Sequence, residues 1–254
     1  MVAGYQAPLG APGVGSSSPL EKAFWRDKSG KEIKTASPDS VVLRAQLVMG
    51  RDLVLRTMVF QACFVSAAAV AARFGAVALA AHQVVLQLWS FLALVLDSLA
   101  IAAQSLVGAA LGSSDTRYAT RVAWRVTVFS AITAVGLAAV LALGSSVFPS
   151  LFTDDRAVLA AIGVPWWFLV AQLPVAGVLF ALDGVLLGAG DATFMRNATL
   201  VGAFAGFLPL TWLSLVFGWG LAGIWSGLTA FVGLRLILGI WRVRSGRWKV
   251  AGTG

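Results

Sequence analysis

The sequence predicts an all-α membrane protein built as a six-helix transmembrane bundle. Three observations predict it. The 254 residues are 59% apolar and only 12% charged, where a soluble domain would carry about a quarter charged residues; mean hydropathy is +0.85. From Leu53 onward, apolar runs long enough to cross a bilayer, about 20 residues each, follow one another with short polar or glycine-bearing breaks. Lysine and arginine fall at alternate breaks rather than at all of them.

Residues 1–37 precede the first run. Residues 7–13 and 16–19 are rich in Gly, Pro and Ser, and Lys22, Arg26, Lys28, Lys31 and Lys34 follow. This is the composition of a disordered basic cytoplasmic tail. No basic start leads into an apolar h-region, so it does not read as a signal peptide. The transmembrane lobe is expected over 38–249, with spans near 53–72, 77–111, 122–145, 157–187, 198–217 and 221–241, and a tail at 250–254. The second run, about 35 residues, would reach about 52 Å as a helix and must tilt, kink or leave the membrane. The fourth contains Pro165 and Pro174, which should kink it.

The cations give an orientation. Eight lie between the N-terminus and Arg56, three in the second break (Arg117, Arg121, Arg125), one at Arg196 and four in the tail (Arg242, Arg244, Arg247, Lys249). The other side holds only Arg73 and Arg156; Arg235 lies within the last span. Both termini are therefore expected in the cytoplasm of a multi-pass inner or plasma membrane protein. Trp166, Trp167 and Trp219 suit the outer interfacial belt, and Trp241 and Trp248 the inner one. Gly184/Gly188, Gly202/Gly206 and Gly223/Gly227 each place two glycines four residues apart, which lets helix backbones approach closely in lipid.

Asp97 and Asp183 are the only acids inside the long apolar stretches. A carboxylate there costs at least about 2.5–3.5 kcal/mol, so both are candidates for a coupling proton or ion. Both sit in one local phrase, Leu96-Asp97-Ser98 and Leu182-Asp183-Gly184. Asp183 is close to the cytoplasmic end, where it could reach water or pair with a basic residue. Gln83 and Gln87 share a helix face, Gln104 is seven residues beyond Asp97, and Gln61, Gln172 and His82 are further polar residues within spans. These six are candidate cavity-lining residues, with interhelical hydrogen bonding as the alternative. His82, near the outer end of its span, is either a proton relay or simply solvated.

Several function classes are excluded. No phosphate-binding G-x-x-x-x-G-K-[ST] loop, H-E-x-x-H or G-x-S-x-G motif is present, so neither an ATP-driven pump nor an enzyme is expected, and no cofactor. One histidine cannot build a histidine-rich metal site. The net charge of +8 follows the topology rather than forming a nucleic-acid patch. The lone Cys63 lies in an apolar run and is expected to be a small packing residue.

Leu79-Ala80-Ala81-His82-Gln83, the stretch from Leu96-Asp97-Ser98 to Gly108-Ala109-Ala110-Leu111-Gly112, and Leu182-Asp183-Gly184-Val185-Leu186-Leu187-Gly188 followed by Ala192-Thr193-Phe194-Met195-Arg196-Asn197 resemble the multidrug and toxic compound extrusion (MATE) family, specifically its DNA-damage-inducible subgroup. The similarity covers roughly residues 40–249. It implies one six-helix lobe, the C-terminal one, of a two-lobe transporter that exchanges H+ or Na+ for organic, often cationic, xenobiotics. Membrane lipid and a separate N-terminal lobe are then candidate partners. Some branches of the family use an acid in the helix matching 53–72; here Gln61 is the nearest polar residue after Asp52. Competing expectations are a lobe that inserts without transporting, and a flippase for a lipid-linked precursor.

Overall fold

A computed structural model describes residues 38–249. The expected tails at 1–37 and 250–254 lie outside the described residues. The chain divides into two units, Met1–Leu47 and Val48–Gly254; the second holds the helix bundle. The long helices are α1 (Pro38–Arg73), of which residues 48–73 fall in the second unit, α2 (Ala76–Gly112), α3 (Thr116–Leu143), α4 (Arg156–Gly188), α5 (Ala192–Phe217) and α6 (Gly220–Arg244). Among the described residues, six helices are long and apolar enough to cross a membrane.

The helices start earlier than the apolar runs do. α1 begins at Pro38 instead of near 53, α3 at Thr116 instead of 122, and α5 at Ala192 instead of 198. The added turns carry Arg51, Asp52, Arg117, Arg121 and Arg196. Propagating a helix adds one hydrogen bond per residue fixed, so it continues through polar turns that a hydropathy window rejects. Short breaks then reverse the chain. Gly75, at φ 107°, makes the α1–α2 turn in a backbone region that L side chains rarely adopt. Asp115 caps α3 by accepting from the Tyr118 amide at 2.8 Å, and Asp155 caps α4 by accepting from the Ala157 amide at 2.8 Å.

α4 is the central helix: 61% of its most apolar window is buried, against 22% for α2 and α3. It packs on α2, α3 and α6, while α6 also packs along α5. The glycine pairs make these contacts. A Cβ at Gly184 would collide with the Ala100 carbonyl of α2, and one at Gly188 would lie 2.5 Å from the Gln104 carbonyl oxygen. Gly227 faces Thr211 and Phe207 of α5 across the α5–α6 contact, and Gly202 faces Phe231 from the other side. α4 remains one helical element through Pro165 and Pro174. In α5, by contrast, residues Gly202–Phe207 form a π-helical turn, with the Leu208 amide donating to the Ala203 carbonyl. Pro209 has no amide to offer and its ring crowds the carbonyl four residues back, so the ladder slips by one residue there.

Two tryptophans depart from the expected belts. Trp167, Trp219 and Trp241 are half-exposed, but Trp166 and Trp248 are core residues at 2% and 1% exposure. Trp166 and Trp167 differ because neighbours on a helix are turned about 100° from one another, which carries one into the core and the other to the surface. Trp248, on a 3-10 turn after α6, packs among Ala103, Val107, Val122 and Val185, and its indole donates to the Val243 carbonyl at 3.0 Å. Cys63 is buried in the apolar core.

Candidate functional site

A cavity of about 370 Å³ opens between α1, α2, α4 and α6. α1 supplies Arg56, Thr57, Phe60 and Phe64. α2 supplies a stripe spaced three or four residues apart: Leu86, Ser90, Ala93, Asp97, Ile101 and Gln104. Gln172, Phe180 and Asp183 come from α4, and Trp225, Phe231 and Arg235 from α6. The walls are thus largely aromatic and aliphatic, with four charged side chains.

The two intramembrane aspartates differ sharply in surroundings. Asp183 is held by two guanidinium groups. Arg56 Nη2 donates to its Oδ2 at 2.5 Å and Arg235 Nη2 to the same oxygen at 2.6 Å. Its side chain is 15% exposed and that of Arg235 5%. Phe60 lies against both cations, with the guanidinium carbons of Arg56 and Arg235 at 5.4 and 4.7 Å from its ring centre. Phe231 meets Phe60 edge-on at 5.2 Å and lies 5.4 Å from Arg235. The cluster ties α1, α4 and α6 together. Asp97, on α2, is exposed into the open side of the cavity. Among the described residues, no hydrogen bond or ion pair reaches it.

Of the candidate cavity residues, Gln104 and Gln172 line the wall; Gln172 is 3% exposed and accepts from Thr229 Oγ1 at 3.4 Å. The other four do not. Gln83 shares the Asp97 stripe but sits about 21 Å further along the axis at 1.5 Å per residue. Gln87 is turned roughly 80° around α2 from Asp97, and Gln61 roughly 85° away from the cavity stripe of α1, at about 100° per residue. All three are exposed outside the cavity. His82 is neither lining nor solvated. It is fully buried, edge-on to Trp225 at 5.9 Å, and neither ring nitrogen has a partner among the described residues. Trp225 of α6 packs on it, a tertiary contact that a position near the end of a hydropathy run does not reveal.

Sequence reasoning did not single out Arg56 or Arg235 as site residues. The signal was available for Arg235: a cation inside a span needs a carboxylate, and only two were on offer. A second ionic cluster also went unread. Asp52 is fully buried and accepts from Arg196 at 2.6 Å, Thr193 at 2.6 Å and Arg51 at 3.0 Å, joining α1 to α5. Asp191 accepts from Arg242 at 2.6 Å, joining α5 to α6.

The protein-family model MatE matches residues 53–213. Protein DETOXIFICATION 44, chloroplastic, of Arabidopsis thaliana is 36% identical over 88% of this chain and 43% of its own length. The DNA damage-inducible protein F of Escherichia coli is 34% identical over 89% of this chain and 49% of its own. The crystal structure of the eukaryotic MATE transporter AtDTX14 matches with a TM-score of 0.65 at 22% identity, over 69% of this chain and 39% of that one, a likeness of fold. The chain spans less than half the length of each of these proteins. With the model matched over well more than half its residues, the chain belongs to the multidrug and toxic compound extrusion (MATE) family.

Proposed function

We propose that this chain is one lobe of a proton- or sodium-coupled antiporter that exports organic or xenobiotic compounds, and that Asp97 takes the coupling ion. One observation carries the reading. Asp97 is the one carboxylate within the spans that has no cation bound to it among the described residues, and it lies on the wall of a 370 Å³ cavity. A group that must load and unload a proton or Na+ has to be reachable and free of a permanent counter-ion. Asp183 lacks that freedom, because two guanidinium groups occupy it. We therefore assign Asp183 to holding α1, α4 and α6 in register. Gln104, one helical stripe along from Asp97, and Gln172 supply polar groups to the same wall.

In this reading the chain spans an inner or plasma membrane with both termini in the cytoplasm. The basic ends of α1, α3, α5 and α6 support that orientation through the excess of lysine and arginine on their side. Alternating access requires a second lobe rocking against this one around a shared site. The test is reconstitution of this chain together with such a lobe. Asp97→Asn is expected to abolish pH- or Na+-dependent transport while leaving the amount of inserted protein unchanged. Transport that keeps its full ion dependence in Asp97→Asn would remove Asp97 from the mechanism.

A further inference from the structure

The cavity's charges are arranged unevenly. Arg56 and Arg235 are two permanent cations on one wall. Between them lies a single carboxylate, and both guanidinium groups use the same oxygen of it, Asp183 Oδ2. The wall therefore keeps one uncompensated positive charge. Arg56 Nε is buried and has no hydrogen-bond partner among the described residues. The remaining negative charge, on Asp97, stands on α2 and makes no bond to either arginine.

Arginine beside Phe60 and Phe231 is stabilised partly by the ring faces, but rings do not neutralise it. Water that enters an open cavity of this kind solvates such a charge. A ligand that fills the cavity displaces this water. A neutral ligand then leaves a desolvated charge behind, and a cation placed against this wall adds repulsion. A carboxylate, sulfonate or phosphate replaces what the water supplied, through guanidinium N–H groups that Asp183 leaves unused.

We propose that the Arg56–Arg235 wall is a binding site for the acidic group of an aromatic organic anion, whose ring packs against the part-exposed Phe60 and Phe64 of α1. This rests on the antiporter reading; it takes the cavity beside Asp97 as the place where the exported compound binds, and gives that compound an acidic group at this wall. Asp97 opposes such a ligand from α2 by like charge.

The test is equilibrium binding to the purified full chain in detergent, which requires neither transport nor a second lobe. The probes are 2-naphthoate and 2-naphthylmethylammonium, the same ring carrying opposite charge, titrated by calorimetry. Wild type is expected to bind naphthoate more tightly than the ammonium probe. Arg56→Gln should weaken naphthoate on the order of tenfold, and Arg56→Lys should recover part of the loss, since a point charge remains without the fork. Asp97→Asn should tighten naphthoate several-fold by removing the opposing charge; being unpaired, this position leaves folding intact even if Arg56→Gln does not. Equal or tighter binding of the ammonium probe would overturn the assignment, as would a melting, well-folded wild type that binds no naphthoate, or an Asp97→Asn variant with unchanged naphthoate affinity. Failure of ion-dependent transport with naphthoate binding intact would instead count against the antiport reading alone.

Discussion

Asp97 and Asp183 occupy the same three-residue phrase yet answer to different physics, because their neighbours come from elsewhere in the chain. Asp183 meets Arg56, 127 residues away, and Arg235, 52 residues away. Removing one partner of a buried ion pair leaves the other charge unpaired, at a cost of about 3–5 kcal/mol. Asp183→Asn is therefore expected to lower unfolding free energy by about 3 kcal/mol, the low end of that range because the carboxylate is 15% exposed. Asp97→Asn should stay within about 0.5 kcal/mol, the usual effect of a change at an exposed unpaired site. Thermal or denaturant melts of the two variants in detergent separate these outcomes, and an Asp183→Asn melt equal to wild type would contradict the clamp. The half of the site readable in the sequence was the half made of acids and amides in apolar runs: Asp97, Asp183, Gln104 and Gln172. Arg56 was hidden because it reads as one more cation near a membrane edge. Only the fold, by bringing α1 against α4, turns it into a wall of the cavity.

Helices pack here through missing side chains. The Gly184 and Gly188 positions of α4 touch the backbone of α2 at Ala100 and Gln104, in the two turns that follow Asp97. Any Cβ at 184 would meet a carbonyl oxygen that cannot swing away. Gly184→Ala should thus force the α2–α4 contact apart and cost about 1–3 kcal/mol, the range for overpacking. Gly136→Ala on α3 is the matched control. Nothing lies within 4 Å of a Cβ there, and alanine is the better helix former by about 1 kcal/mol. The control should melt at or above wild type; a Gly184→Ala melt that matches it would show that the interface tolerates separation. All six elements were legible from apolar run length, and the three glycine pairs from their spacing. The early starts of α1, α3 and α5 were not, because interfacial turns rich in arginine are helical without being apolar. Nor was the π turn at Gly202–Phe207, which arises from one missing amide at Pro209 rather than from any pattern of hydropathy.

At the scale of the molecule, the polar face of α2 sets the strongest expectation. Gln83, Gln87 and Asp97 are exposed on a helix whose hydropathy places it in the membrane. An unpaired polar group in hydrocarbon costs several kcal/mol, so this face requires either water or protein against it. The topology that puts it there is testable by itself. Single cysteines near Asp154 and Trp219, in a Cys63→Ala background, should be labelled by an impermeant thiol reagent from outside the cell, and one at Arg117 should not; labelling at Arg117 would invert the orientation. With the topology in place, a second lobe facing α2 would shield the stripe and complete the cavity around Asp97. Two copies of this chain could close the space, but each would bring the same Asp97 and the same charge pattern to one cavity, with no complementary half. This chain made by itself is therefore expected to accumulate poorly and to export nothing, and to be rescued in both respects by co-expression with an N-terminal lobe of the family. The measurement is efflux of fluorescent organic compounds, one cationic and one anionic, from cells making the chain with and without that lobe. Strong ion-dependent efflux from the chain alone, lost in Asp97→Asn, would mean that a single six-helix lobe moves its substrate without a partner lobe to rock against.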